Sequence, residues 1–180
     1  MSNHPNFDRA QAALDAIRQG DYAPNFDLYA DDIAWENGPG AGPWHRARGK
    51  DDLALMLMEF ATSLDGTFHQ DGRCIYADDR TAICLIHETG TAPGGDQLDN
   101  LAVYTLRLRP DGQVDRGWTV DLDSERCEAF WEKTPAHPQR TFPSRCCPNT
   151  RNEGGTPAAV RTAGLARAVP EDRGQVAADA

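Results

Sequence analysis

The sequence contains no apolar run approaching the roughly 20 residues that a membrane-spanning helix requires, so no membrane partner is expected. Its opening, Met1-Ser2-Asn3-His4-Pro5-Asn6, has neither a basic cluster nor an apolar stretch, and no secretory signal is expected there. Basic residues are scarce, with 18 Lys and Arg against 28 Asp and Glu and a formal net charge of -10. Phosphate binding relies on Lys and Arg, which argues against nucleic acid as a partner and against anionic membrane surfaces. Cysteines number 5, an odd count with no CxxC pair. Neither a disulfide framework nor a cysteine metal site is expected from that spacing, and the chain reads as cytoplasmic. His69 and His87 lack a third ligand at a suitable spacing, so neither a metal nor a cofactor is expected.

What is present fits one domain of ordinary size with some surplus. The chain has 180 residues, of which 39% are hydrophobic, enough for a single core. Its character changes after Trp131-Glu132-Lys133. From Thr134 onward it is rich in Pro, Arg, Ala and Gly, and Phe142 is the only aromatic residue. Such a segment cannot bury enough apolar surface to offset the entropy of ordering it. The expected organisation is therefore a domain over residues 1–133 and a disordered C-terminal tail over 134–180. The pair Cys146-Cys147 falls in that tail, whereas Cys84 sits among apolar residues and reads as a small core hydrophobe.

Within the domain, Asn6 is placed to cap a helix from Phe7 to Arg18 with Phe7, Ala10, Leu14 and Ile17 on one face and Gly20 as its stop. Asp21 is placed to cap a shorter helix carrying Phe26 and Tyr29, with Pro24 in its first turn. Ile33 to Asn37 reads as a short strand ended by Gly38-Pro39-Gly40, and Asp31-Asp32 before it as a solvated turn. A third helix is expected from Asp51 to Ser63, with acids at its start and Leu53, Met56, Leu57 and Phe60 facing inward. Four strands follow, Thr67 to Ala77, Thr81 to Thr91, Leu98 to Leu108 and Gln113 to Asp121. Asp78-Asp79-Arg80 and Arg109-Pro110-Asp111-Gly112 supply hairpin turns. Asp123 then caps a last helix ending at Phe130-Trp131. Helices followed by a meander of long strands predict an α+β domain on an antiparallel sheet.

The stretch Gly20-Asp21-Tyr22 with Leu28-Tyr29-Ala30-Asp31-Asp32-Ile33-Ala34-Trp35 resembles the opening of nuclear transport factor 2-like proteins, which include ketosteroid isomerases and SnoaL-like polyketide cyclases. Gly42-Pro43-Trp44 through Gly49, His87-Glu88-Thr89-Gly90-Thr91 and Asp111-Gly112-Gln113-Val114 before Trp118 support it. The likeness runs over residues 7–132. It implies a cone-shaped, strongly curved sheet wrapped around the N-terminal helices, with an apolar pocket inside. This scaffold hosts isomerases, cyclases, dehydratases, epoxide hydrolases and pure binding modules, so fold alone does not choose among them. Ketosteroid isomerases carry a catalytic tyrosine on the first helix, where this chain has Ala13. Their carboxylate base follows the first strand, where this chain has Asn37, and the acid of their oxyanion hole falls at Tyr104. The Arg and Asp two apart that limonene-epoxide-hydrolase-like enzymes need are not found on the third long strand.

Strand alternation then selects candidate site residues. Taking Ile83 and Leu85 as facing the pocket brings His87 and Thr89 with them. Asn100, Ala102, Tyr104 and Leu106 share a face, as do Gly117, Thr119 and Asp121, with Trp118 turned away. Asp121, His87 and Tyr104 are thus the candidate catalytic set, with Asn100, Trp35, Asn37, His69 and Thr119 as ligand contacts. SnoaL-like cyclases resemble this chain in placing a catalytic Asp late on the last strand, where Asp121 lies. Enolisation, aldol closure and dehydration need a base near neutral pH and a donor for the developing oxyanion, which these groups supply. Each also has a structural alternative: Asp121 as a helix cap, His87 as a satisfied wall residue, Tyr104 as core. Two functions remain open at this point. One is a cofactor-independent cyclase, isomerase or dehydratase acting on a small carbonyl-bearing apolar metabolite; the other is a non-catalytic ligand-binding or dimerisation module. An outer sheet face carrying Val103, Thr105 and Trp118 predicts a homodimer.

Overall fold

The computed structural model describes residues 4–134, and the expected tail lies outside them from residue 135 onward. Helix α1 (Pro5–Arg18) buries Ala10, Leu14 and Ile17 of the expected stripe together with Ala13, while Phe7 packs partly against the core. Its cap is His4 rather than Asn6: the His4 ring accepts from the Asn6 backbone N–H at 3.2 Å. The Asn6 side chain instead donates to the Asp78 carbonyl at 2.9 Å and ties the helix start to a hairpin turn. Helix α2 (Ala23–Leu28) follows, with the Asp21 carboxyl accepting from the Ala23 N–H at 3.1 Å.

Strand β1 (Tyr29–Asn37) is longer than the apolar run Ile33–Asn37 alone suggests. Asp31 and Asp32 are therefore strand residues, at a register irregularity between Tyr29 and Ala34. Asp32 is exposed on the strand, where Arg109 donates to both of its carboxylate oxygens at 2.7 Å. A 3₁₀ turn (Pro39–Ala41) leads to a short strand, β2 (Arg46–Arg48), too brief and too basic to announce itself. Helix α3 (Lys50–Ser63) buries Leu53 and Met56, and Leu57 and Phe60 pack partly against the core. Four long strands complete the sheet: β3 (His69–Ala77), β4 (Thr81–Thr91), β5 (Gln97–Leu108) and β6 (Val114–Asp121). Helix α4 (Ser124–Lys133) is capped by Asp123, whose carboxyl accepts from the Arg126 N–H at 3.1 Å.

The fold is α+β, with one sheet in the order β2-β1-β6-β5-β4-β3. Every neighbouring pair is antiparallel except β1 and β6, which run parallel. The departure from a wholly antiparallel sheet has a simple origin. Parallel neighbours need a long connection, and here everything from β2 to β5 forms it, so the first and last long stretches of chain meet in mid-sheet. The principal core lies on the helix-covered face and joins Leu14, Ile17, Tyr29, Ile33, Trp35, Leu53, Met56, Cys84 and Ile86. Cys74, Cys84 and Cys127 are buried free thiols.

Trp35 reaches the centre of this core because its parallel partner across the sheet is Gly117. A β-carbon on Gly117 would overlap the six-membered ring of Trp35. Gly117→Ala should therefore lower unfolding stability by about 1–3 kcal/mol, the usual cost of forcing extra volume into a packed core. Denaturant titration should show this as a lower midpoint at unchanged slope; an unaltered midpoint would mean that the indole moves aside freely.

Candidate active site

The helices and the inner sheet face line a cavity of about 80 Å³ that is partly open to solvent, ample for a group larger than one water molecule. Aromatic side chains dominate one wall. Trp44 meets Phe60 and Trp131 edge-on at centroid distances of 5.2 and 4.9 Å, and Phe60 meets Phe68 at 4.7 Å. These edge-to-face contacts set the rings as rigid apolar plates.

The polar wall is built by strand alternation on β3, β4, β5 and β6. Register pairs Gln70 with Glu88 and Glu88 with Asn100, while Cys84 pairs with Tyr104 and Tyr104 with Thr119. Their inward side chains form a connected network. Tyr104 donates its hydroxyl to Glu88 Oε1 at 2.5 Å, and Gln70 Nε2 donates to the same oxygen at 2.9 Å and to the tyrosine oxygen at 3.0 Å. Asn100 Nδ2 donates to Glu88 Oε2 at 3.0 Å and to Asp121 Oδ1 at 2.7 Å. The amide orientation of Asn100 follows from this, since its oxygen in the same place would face two carboxyl oxygens. Glu88 is 5% exposed. Loss of solvation pushes its carboxyl above the usual value, opposed by its three hydrogen bonds and reinforced by the nearby charge of Asp121. Burial likewise raises the Tyr104 hydroxyl, with the Glu88 charge adding to it.

A second polar group sits beside it. The Trp35 indole N–H is shared between Asn37 Oδ1 at 2.7 Å and Thr119 Oγ1 at 3.2 Å. Asn37 Nδ2 donates to the Trp44 carbonyl at 2.6 Å. Asn37 therefore fixes two aromatic walls and carries no titratable group. Trp35 and Tyr104 touch edge-on at 5.4 Å, which joins the two groups.

Tyr104, Asp121, Asn100, Trp35, Asn37 and Thr119 all line the cavity, as inward alternation on β1, β5 and β6 predicts. His87 and His69 do not. On β4 the buried set is Ala82, Cys84, Ile86 and Glu88, so His87 points to the opposite, exposed face. There its ring nitrogen lies 2.7 Å from Asp99 Oδ1, and Arg126 holds the other Asp99 oxygen at 3.1 Å. His69 is exposed because its β3 neighbour Gln70 faces inward. The same parity brings in Glu88 and Gln70, which sequence reasoning did not select. Their signal was available in pairing: once Asn100 and Tyr104 face inward, the β4 residues opposite them must too. The capping alternative for Asp121 also falls away, because Asp123 performs that task.

A buried acid with a raised pKa binds its proton more tightly folded than unfolded. Its stabilising contribution is complete below its ordinary value of 4.5 and is lost as pH rises through the higher folded value. Glu88→Gln removes this titration. The melting temperature of the variant should gain on that of the native protein as pH rises above 4.5, and parallel pH profiles would show that Glu88 does not titrate abnormally.

No family model matches the chain, and no curated protein does. Solved structures do match. Bal32a, from a soil-derived mobile gene cassette, is 20% identical over 70% of this chain and 95% of its own, with a TM-score of 0.62. TerC co-crystallized with polyporic acid is 19% identical over 70% and 98%, with a TM-score of 0.58. An NTF2-like protein of unknown function from Burkholderia pseudomallei is 18% identical over 70% and 95%, with a TM-score of 0.57. At such identities the likeness is one of fold, and with the element order and the cavity already described it places this chain in the cone-like, nuclear transport factor 2-like (NTF2-like) fold.

Proposed function

We propose that the cavity is the active site of a cofactor-independent acid–base enzyme, a cyclase, isomerase or dehydratase acting on a small, apolar, carbonyl-bearing metabolite. The observation that carries this reading is the buried Glu88 carboxyl, coupled to Asp121 through the shared Asn100 amide. A solitary inward polar group serves a binding module equally well. Two interacting carboxyl groups in an apolar cavity, one of them shifted toward neutral pH, are what proton transfer at carbon requires. TerC, of the same fold, was crystallised with polyporic acid.

In this reading Glu88 takes the proton from the carbon beside the substrate carbonyl. Once protonated, Glu88 no longer needs the Tyr104 hydroxyl as a donor, and that hydroxyl turns to the developing enolate oxygen. Glu88 then returns that proton at the second position, which restores its carboxylate, while Asp121, at the other end of Asn100, holds the amide that keeps the Glu88 carboxyl aimed. The Trp35, Trp44 and Phe60 plates hold a flat apolar skeleton and exclude water, which keeps the Glu88 pKa raised. His87 has no part in the chemistry.

The outer sheet face supports a homodimer. Leu101 and Val120 are 41% and 55% exposed there, beside Val103, Thr105 and Trp118. An apolar patch of this kind on a small domain is what a two-fold interface covers.

Two measurements test these proposals. The first incubates the protein with 2-tetralone in D₂O and follows loss of the α-proton signals by NMR. Exchange should exceed the buffer rate, fall about a hundredfold or more in Glu88→Gln and Asp121→Asn, and stay unchanged in His87→Asn. Exchange at the buffer rate with the native protein, or full activity in Glu88→Gln, would sink the assignment. In the second, light scattering at micromolar concentration should report a dimer that Val120→Glu converts to a monomer. A native monomer would remove the interface.

A further inference from the structure

The hydrogen-bond inventory of the polar wall is lopsided. Gln70, Tyr104 and Asn100 spend their donors on Glu88 and Asp121. Two acceptors are left over. Asn100 Oδ1 and Asp121 Oδ2 are buried side-chain oxygens with no hydrogen-bond partner among the described residues. Both residues line the cavity, and Asn100 is only 5% exposed. Asp121 Oδ2 lies against Gly40, where a β-carbon would come within 2.6 Å of it, so the small residue of the 3₁₀ turn leaves that oxygen room. The described cavity lining also contains no Lys, Arg or His.

Buried acceptors left unmet cost free energy, and a bound molecule that meets them recovers it. A carboxylate or phosphate offers only acceptors. In this cavity its oxygens would face the lone pairs of Asn100 and Asp121 and the Glu88 carboxyl, with no cation on the wall to offset them. An ammonium group would bring donors to Asp121 Oδ2, but it must shed far more hydration than a hydroxyl to enter an apolar cavity, and the Glu88 oxygens are already taken by protein donors. A neutral hydroxyl meets each free acceptor at the least desolvation cost.

From these two free acceptors and the missing cation we infer that the natural ligand presents an uncharged hydroxyl, of the alcohol, phenol or enol type, to Asn100 and Asp121, and that the site discriminates against anions. This deepens the proposed function by naming the polar end of the substrate: a hydroxylated carbonyl compound on a flat apolar skeleton. It rests on the cavity being a ligand site, not on turnover.

The test is a binding titration of the full chain read by tryptophan fluorescence, since Trp35, Trp44 and Trp131 line the cavity. The probes are 2-naphthol, naphthalene, 2-naphthoate and 2-naphthylmethylamine at pH 7. The expected order places 2-naphthol at least tenfold tighter than naphthalene, the scale of one recovered buried hydrogen bond, with 2-naphthoate weakest. Asp121→Asn, checked for native circular dichroism, replaces an acceptor by an amide. It should weaken 2-naphthol and strengthen 2-naphthoate, narrowing their ratio at least tenfold. The inference is overturned if 2-naphthoate or 2-naphthylmethylamine binds as tightly as 2-naphthol, if no probe binds, or if the folded variant keeps the native ratio. Should the order hold while 2-tetralone exchange stays at the buffer rate, the catalytic reading fails and the ligand assignment stands. The reverse pattern sinks the ligand assignment alone.

Discussion

A carboxyl group taken out of water must either be met by hydrogen-bond donors or keep its proton, and Glu88 is held between those demands. Among the described residues, three donors reach it and no cation does. Gln70, Tyr104 and Asn100 are therefore fixed by the acid as much as they fix it, because turning any of them away leaves a buried oxygen bare. Three strands, β3, β4 and β5, must hold their registers for this set to converge. The network is thus both a reactive group and a lock on the sheet.

The fold was largely legible from the sequence, and the site only in part, for a reason visible in β4. Its two alternating sets are both apolar, Ala82, Cys84 and Ile86 on one side and Ile83 and Leu85 on the other. One side faces the core and the other the outer face of the sheet, so hydrophobicity does not choose between them. On β5 and β6 the choice is easier, since Tyr104, Asn100 and Thr119 share parity with small residues such as Ala102 and Gly117, which leave space inside. The register of the β4–β5 hairpin carries that choice across to Glu88. A single strand read alone points to His87; the paired strands point to its neighbour.

Other elements were hidden by plainer causes. Strand β2 is three residues long with arginines at both ends. The His4 cap depends on a ring nitrogen, whereas Asn6 is drawn off by a turn more than seventy residues away. Asp31 and Asp32 carry turn chemistry but lie in a strand, with Asp32 compensated by Arg109 from the far hairpin. For Asn6 and Asp32 the deciding partner is distant in sequence, where local propensity has no view of it.

The parallel meeting of β1 and β6 has a consequence in time. Trp35 and Asn37 belong to the first strand, Thr119 and Asp121 to the last long one, and Gly117 leaves the space that the indole fills. During synthesis the early strand must therefore wait, with its tryptophan unhoused, until some eighty later residues have emerged. Contacts that span such a distance form late and slow the folding of the whole. Assembly of the cavity is in that sense the closing event of folding, and a nascent chain holds Trp35 before it has anywhere to put it.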